Sequence, residues 1–315
     1  MNQLQLQVST IANLPVSSPQ TYSPTNRRCF AVLLCVTFAW LLGGIGLLQA
    51  GTADTFPMRE AVPGVWQVGR IAVPALTESS GWITCNTDTN VFWTHNDGSR
   101  RTLYAVTRSG KPVAEFTIET PPLSDWEDIA RDSQGHLYLA DIGNNEARRS
   151  QLAVYQFDEP NPGKSAARVK VNRSWKLRFP GKPFDCESLF VWDEYGYLIS
   201  KVFNDQAAEV YRFPLTEQKE AVAIKFVTRL PVTSPVTAAT LSPDGQRLGL
   251  LCKAGAYIFQ VAGEVRRAAT AAPQRVKFRE GQLEGCCFVP EGLLAVSEQR
   301  EIFLFSNEAF GRPAK

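Results

Sequence analysis

The feature that most restricts the fold of this 315-residue chain is an internal repeat of short, strand-like segments. Five copies begin 49, 60, 50 and 47 residues apart, at Glu78, Glu127, Glu187, Thr237 and Glu284. In each copy a Gly or Asn follows eight or nine residues after the start, and a short strand pattern comes next. Helical periodicity is absent after residue 51, so the period indicates a repetitive all-β architecture.

Each copy contains the pattern of three or four short strands. The third strand is the clearest, because aromatic and β-branched residues recur in it, as in T-L-Y-A-V-T (102–107) and E-V-Y-R-F (209–213). The fifth copy has no fourth strand of its own, whereas V-W-Q-V-G-R-I (65–71) precedes the first copy. We therefore expect a five-bladed β-propeller closed by this N-terminal strand, with six blades as the alternative. The insertion at 157–185 is predicted to form a long hairpin tip.

The N-terminal part of the chain has a different composition. Residues 1–28 are predicted to be a disordered cytoplasmic segment, and the 22 residues 29–50 carry no charge and are long enough to span a bilayer. Arg27 and Arg28 precede them, which places the N-terminus inside and the rest of the chain outside the cytoplasm. The segment is either a membrane anchor or a signal cleaved after Ala50 or Ala53. Residues 51–64 are then a linker, 65–308 the propeller and 309–315 a tail.

Composition limits the function classes. The chain has 33 Lys and Arg against 31 Asp and Glu, so its overall charge gives no indication of a nucleic-acid partner. Five of the seven cysteines lie after residue 50, without C-x-x-C spacing, and the chain has only two histidines. A disulfide framework, a zinc site and a histidine-rich metal cluster are therefore not expected.

The candidate site consists of carboxylates at the start of four of the five innermost strands, the fourth blade having Thr237 instead. Converging carboxylates about 6 Å apart repel each other by about 3 kcal/mol at an effective dielectric constant near 20, so they require protons, a cation or a basic partner. Lys201 and His95 are available as basic partners and a hard metal such as calcium is the other candidate, while a purely structural polar belt between blades is the alternative to any ligand site. The expected metal ligands are Glu78, Glu127, Glu187 and Glu284; the ends of the second strands add His95, Asp141, Lys201 and Glu298, and neighbouring positions add Asp128 and Asp185.

Several motifs resemble those of a family of exported bacterial β-propellers. They are W-T-H-N-D (93–97), D-W-E-D-I-A (125–130), L-Y-L-A-D-I-G-N-N (137–145), F-D-C-E-S-L (184–189) and V-T-A-A-T-L-S-P-D-G (236–245). More distantly, the chain is similar to phytase-like esterases and to calcium-dependent lactonases and nucleotidases, which hold a cation in the channel. The resemblance implies metal-assisted hydrolysis of an ester or phosphoester.

We accordingly expect an extracytoplasmic protein that binds a cation or small molecule in its channel. If the protein is a hydrolase, His95 or Asp141 would transfer protons while the glutamates hold calcium. The alternative is a non-catalytic scaffold that binds a ligand or a protein partner through its loops and blade edges. Membrane contact is expected only through the N-terminal segment.

Overall fold

The computed structural model describes residues 55–164, 167–203 and 205–311. The segments predicted to be disordered and membrane-spanning, 1–28 and 29–50, lie outside these residues. Within the described ranges no helix has the length and apolar character needed to cross a bilayer.

The described residues fold almost entirely into β-strands. The first strands are β1 (Arg59–Val62), β2 (Val65–Arg70), β3 (Ser79–Thr84), β4 (Val91–Asn96), β5 (Thr102–Thr107), β6 (Pro112–Glu119), β7 (Trp126–Arg131) and β8 (His136–Asp141). The next are β9 (Gln151–Asp158), β10 (Ala167–Lys170), β11 (Arg173–Arg178), β12 (Cys186–Trp192), β13 (Tyr195–Ser200), β14 (Glu209–Pro214), β15 (Val222–Ala223) and β16 (Lys225–Arg229). The last are β17 (Val236–Leu241), β18 (Arg247–Cys252), β19 (Gly255–Gln260), β20 (Gln274–Lys277), β21 (Leu283–Val289), β22 (Gly292–Ser297) and β23 (Glu301–Ser306). A 3₁₀ helix (Val265–Ala269) and α1 (Asn307–Gly311) complete the elements.

These strands form five sheets that are the blades of a propeller. From the axis outward the blades are β3-β4-β5-β6, β7-β8-β9-β11, β12-β13-β14-β16, β17-β18-β19-β20 and β21-β22-β23-β2. Each innermost strand contacts the next one around the ring, and β21 contacts β3. The predicted five-bladed, all-β architecture is therefore confirmed. In the last blade β2 runs antiparallel to β23, with Val65 opposite Phe305.

The outer edges of three blades carry extra strands that the repeat does not contain. Residues 157–185, predicted to be a hairpin tip, instead place β10 parallel to β6 of the preceding blade, and only β11 joins the second blade. In the same way β15 extends the second blade, and β1, inside the predicted linker, extends the last. Such strands cover backbone groups that an outer edge would otherwise leave unpaired.

The core of the described residues consists of five apolar clusters, one between each pair of adjacent blades. Because successive strand residues face opposite sides, a strand buried on both faces is apolar throughout, as L-Y-L-A in β8 is. Trp82, Trp93, Trp126 and Trp175 are fully buried in these clusters. Each buries roughly 200 Å² or more, an upper bound of about 5 kcal/mol at 25 cal/mol per Å². This packing fixes the inner strands on which the acidic side chains lie.

Candidate functional site

The starts of the innermost strands gather acidic side chains at one end of the channel. Glu127, Glu187 and Glu284 are each the second residue of an innermost strand, and all three are buried. They line one cavity of about 30 Å³, which is enough for a water molecule or a bare ion. Three of the four predicted metal ligands therefore lie together. The remaining lining residues are Ser79, Ser80, Asp97, Gln282 and Glu298.

A β-bulge or similar irregularity at the start of each innermost strand coincides with these acids. The pairing register is interrupted between Trp126 and Asp128, which flank Glu127, and between Leu283 and Gly285, which flank Glu284. Strands β12 and β17 are interrupted at the corresponding residues, Glu187 and Thr237, whereas in β3 the interruption follows Ser80. Because a bulge leaves one residue unpaired and changes the direction of its side chain, it explains how residues of a regular strand lie at the axis.

Glu78, the fourth predicted ligand, does not line the cavity. It precedes β3 and is exposed, and its carbonyl oxygen accepts a hydrogen bond from the Asp97 amide at 2.9 Å. The pairing of β3 with β4 makes Ser80 the structural equivalent of Glu127. Ser80 Oγ donates to the carbonyl oxygens of Glu127 at 2.6 Å and Glu284 at 3.3 Å, so this position links three blades.

A second group of carboxylates adjoins the cavity and has the geometry of a cation site. Single oxygen atoms of Asp97, Asp125 and Glu127 all lie within 4.8 Å of one another. Gly143, in the L-Y-L-A-D-I-G-N-N motif, makes room for two of them, because a Cβ atom there would overlap Glu127 Oε1 and Asp125 Oδ2. Asp97 and Asp125 are absent from the predicted site. Comparing the repeats residue by residue could have identified both. Asp97 occupies the repeat position of the predicted residues Lys201 and Glu298, and Asp125 occupies the position of the predicted residue Asp185.

The ionisation of these groups is strongly perturbed. Burial, followed by the charge of Glu187, raises the pKa of Glu127 well above its usual value. Burial likewise raises the pKa of Glu284 to about 8. Burial also raises the pKa of Asp97 to about 6, and the charge of Asp125 adds to it. Glu284 therefore keeps its proton at neutral pH, and a bound cation would favour the ionised form of all these carboxyl groups.

Lys201 provides the one buried positive charge among the predicted site residues. Its ammonium group forms an ion pair with Glu187 Oε1, and both side chains are 7% exposed. Burial raises the pKa of Glu187 to about 7 even though Lys201 opposes that rise. Glu187 Oε2 and Glu284 Oε1 are buried and, among the described residues, have no hydrogen-bond partner. Because buried polar atoms rarely stay unpaired, these two oxygens are available to a proton, a water molecule or a cation.

Three other predicted residues make structural contacts rather than line the cavity: Asp128 and Asp185 join blades, and Asp141 binds within its own blade. Asp128 Oδ2 accepts a hydrogen bond from the Leu189 amide of the next blade at 2.8 Å. Asp185 Oδ1 accepts one from the Asn144 amide at 2.8 Å, also between blades. Asp141 accepts hydrogen bonds from the amides of residues 124 and 125 and pairs with an Arg149 nitrogen at 3.0 Å. These contacts are those of a structural polar belt.

His95 is fully buried beside the site rather than in its cavity. Its ring stacks on Trp126, with 3.9 Å between ring centroids. Nδ1 donates to the Asn96 carbonyl oxygen at 2.8 Å, while Nε2 has no partner in the described part of the chain. Burial lowers the pKa of His95 to about 3, so the imidazole is neutral at pH 7.

Comparison with known proteins assigns no family to this arrangement. No family model matches the chain, and no curated protein matches it in sequence. The resemblance to exported and calcium-dependent propellers thus stays a prediction from the motifs. The geometry of the acidic site is the basis for any functional proposal.

Proposed function

We propose that the protein binds a hard divalent cation, calcium in the first place, at Asp97, Asp125 and Glu127, and that the bound cation serves hydrolysis of an ester, phosphoester or lactone. The observation that carries this proposal is the mutual approach of the three carboxylates within 4.8 Å. Calcium binds oxygen at 2.3–2.6 Å, so two of its ligands lie at most about 5 Å apart. The distances therefore fit one shared ion.

The chemistry of the site favours the same kind of ion. All three groups are carboxylates, which suit hard cations, and neither histidine of the chain belongs to the group. Gly143 leaves the space that the two adjacent carboxylates occupy. A divalent charge would also favour the ionised form of these carboxyl groups, whose pKa values are raised by burial and by their mutual repulsion.

In such a hydrolase the cation would polarise the substrate's carbonyl or phosphoryl oxygen and activate water. Glu284 would then transfer the proton, because its pKa of about 8 lets it hold and release a proton near neutral pH. His95 and Asp141, the proton-transfer groups expected from the sequence, are less suited, since one is neutral and buried and the other is paired with Arg149. An extracytoplasmic position remains part of the proposal and rests on residues 27–50.

A specific observation favours the second candidate, a non-catalytic binding propeller. The cavity of about 30 Å³ admits no substrate, and Lys201 already neutralises Glu187. Thr237, the fourth-blade equivalent of the glutamates, donates to the Leu283 carbonyl oxygen at 2.5 Å and so serves blade contact. In this candidate the cation stabilises the ring and the partner binds elsewhere.

Calcium titration calorimetry on the full-length protein tests the metal site. We expect one calcium ion per chain and a higher melting temperature in calcium than in chelator. Asp97→Asn and Asp125→Asn should each weaken binding at least about tenfold, the loss expected for one charged ligand. Glu115→Gln, on an exposed position of β6, is the control.

Hydrolysis is then measured with 4-nitrophenyl phosphate, 4-nitrophenyl acetate and a γ-lactone, with calcium and with chelator. Calcium-dependent turnover that Asp97→Asn abolishes supports the hydrolase. Calcium binding without turnover of any of these substrates supports the binding propeller. Absence of calcium binding to the wild type would overturn both the metal site and the function built on it.

A further inference from the structure

A second cavity lies at the opposite end of the innermost strands. Its volume is about 680 Å³, within the range of roughly 300–1,000 Å³ typical of small-molecule sites. The last or next-to-last residue of every innermost strand contributes to it: Ile83, Arg131, Trp192, Leu241 and Phe288. Four residues of extended strand, about 13 Å, separate Arg131 from Glu127. The cavity is therefore distinct from the acidic site.

The aromatic walls of this cavity are held in place by the surrounding chain. Trp192 Nε1 donates to the Gly263 carbonyl oxygen at 3.0 Å, and its ring lies where a Cβ atom of Gly245 would be. The guanidinium of Arg247 lies 4.6 Å from the centroid of the Phe288 ring. Both aromatic rings are only half buried, so they offer apolar surface to a ligand without rearrangement.

Arg131 gives the cavity a positive charge. It is half buried, and its Nη1 atom donates to the Thr84 carbonyl oxygen at 2.5 Å. Within the described ranges, no carboxylate lies at ion-pair distance from it. Asp132 lines the same cavity, but its two oxygens already accept hydrogen bonds from His136 and Tyr138. Asp193, the other acid of the lining, is exposed in a turn.

We propose that this cavity binds a small organic carboxylate with an aromatic or otherwise apolar body. The apolar body would lie against Trp192 and Phe288, and the carboxylate would accept hydrogen bonds from the remaining N–H groups of Arg131. Arginine favours this partner because its planar donors match the two oxygens of a carboxylate. The site does not depend on the metal or on hydrolysis at the other end of the channel.

Tryptophan fluorescence of the full-length protein measures the binding. Trp192 and Trp66 are half buried, whereas the other tryptophans in the described ranges are buried. We expect 4-phenylbutanoate, which does not absorb at the excitation wavelength of tryptophan, to quench the emission saturably. The quenching should disappear in Trp192→Phe and persist in Trp66→Phe, the matched control.

The charge of the ligand is tested with probes of the same size. The wild type should bind 4-phenylbutanoate at least about tenfold more tightly than 4-phenylbutanamide, and 4-phenylbutylamine most weakly, because a hydrogen bond between two charged groups contributes about 1.5–3 kcal/mol. Arg131→Gln should remove the preference for the acid over the amide. Arg131→Lys keeps the charge and should retain part of that preference, which separates loss of charge from loss of folding.

Three results would overturn the assignment. The first is no saturable quenching by 4-phenylbutanoate up to about 10 mM, above which binding is too weak to be specific. The second is equal affinity for the acid and the amide, which would make the cavity a site for neutral molecules. The third is quenching that remains in Trp192→Phe, which would place the ligand elsewhere. Glu127→Gln should leave the affinity unchanged, because it alters only the acidic site.

Discussion

Glu284→Gln should make the protein more stable at neutral pH, and the gain should depend on pH. Glu284 is 7% exposed, and one of its carboxyl oxygens has no hydrogen-bond partner among the described residues. Burial raises the pKa of this carboxyl from the ordinary 4.5 to about 8. Glutamine has nearly the same shape and carries no charge at any pH. In the variant, the free energy of unfolding therefore contains no contribution from the ionisation of this side chain.

The magnitude follows from the difference between the folded and unfolded pKa values. Below pH 4.5 the carboxyl is protonated in both the folded and the unfolded state, so it causes no pH-dependent loss of stability. Between pH 4.5 and 8 the unfolded chain ionises while the folded protein keeps the proton, and the wild type loses stability as pH rises. At about 1.4 kcal/mol per pKa unit, the loss is about 3 kcal/mol at pH 7 and about 5 kcal/mol above pH 9.

Urea unfolding of both proteins between pH 4 and pH 9, in chelator, measures this difference. The free energy of unfolding of the variant, relative to wild type, should rise by about 3 kcal/mol from pH 4 to pH 7. Glu115→Gln, on an exposed position of β6, should stay within about 0.5 kcal/mol of wild type throughout. A difference between Glu284→Gln and wild type that does not change with pH would refute the reasoning, because it would mean that Glu284 is ionised in the folded protein.

Three further measurements examine the same site. Lys201→Met leaves Glu187 buried without its ion-pair partner and should lower the free energy of unfolding by about 3–5 kcal/mol at pH 8. Adding Glu187→Gln should restore most of that free energy. Urea unfolding of the single and double variants measures both changes. Gly143→Ala should weaken calcium binding at least about tenfold in calorimetry, because the added methyl group displaces the carboxylates of Asp125 and Glu127. An unchanged affinity would show that these two carboxylates are not calcium ligands. In a proton NMR titration, the His95 imidazole should stay neutral down to about pH 4, since burial lowers its pKa to about 3. A His95 midpoint near 6.5 would show that the ring is not buried.

The repeat alone makes the architecture of this chain predictable. Short strands, aromatic third strands such as Thr102–Thr107 and a recurrent Gly or Asn are local properties of the chain. Copies of one unit that cannot bury its own faces must stack on their neighbours, and a closed ring of five such copies does this without exposed ends. The ring in turn places Glu127, Glu187 and Glu284 at a common level, which is why these three residues could be predicted to meet.

The outer strands and the membership of the site were decided by tertiary contacts. The insertion contributes β10 to the edge of a neighbouring blade, and its sequence contains no information about which edge it covers. Aligning the repeats on residue type selects Glu78, although the structural equivalent of the glutamates is Ser80, two residues later. Residue type alone does not reveal where the bulge lies. Asp97 lies in a turn that follows a strand. Because a turn is sufficient to explain an Asp at this position, the sequence pattern did not indicate a metal ligand.

The sequence by itself determined the period, the strands and the acidic character of one end of the channel, because these depend on neighbours along the chain. Only the tertiary structure decided that Asp97 and Asp125 lie beside Glu127, and that Arg131 and Trp192 line one cavity. The physical reason is that a side chain in a propeller meets partners from other blades, dozens of residues away. Their approach depends on bulges and inter-blade packing to within a few ångströms, and a repeat length does not specify that precision.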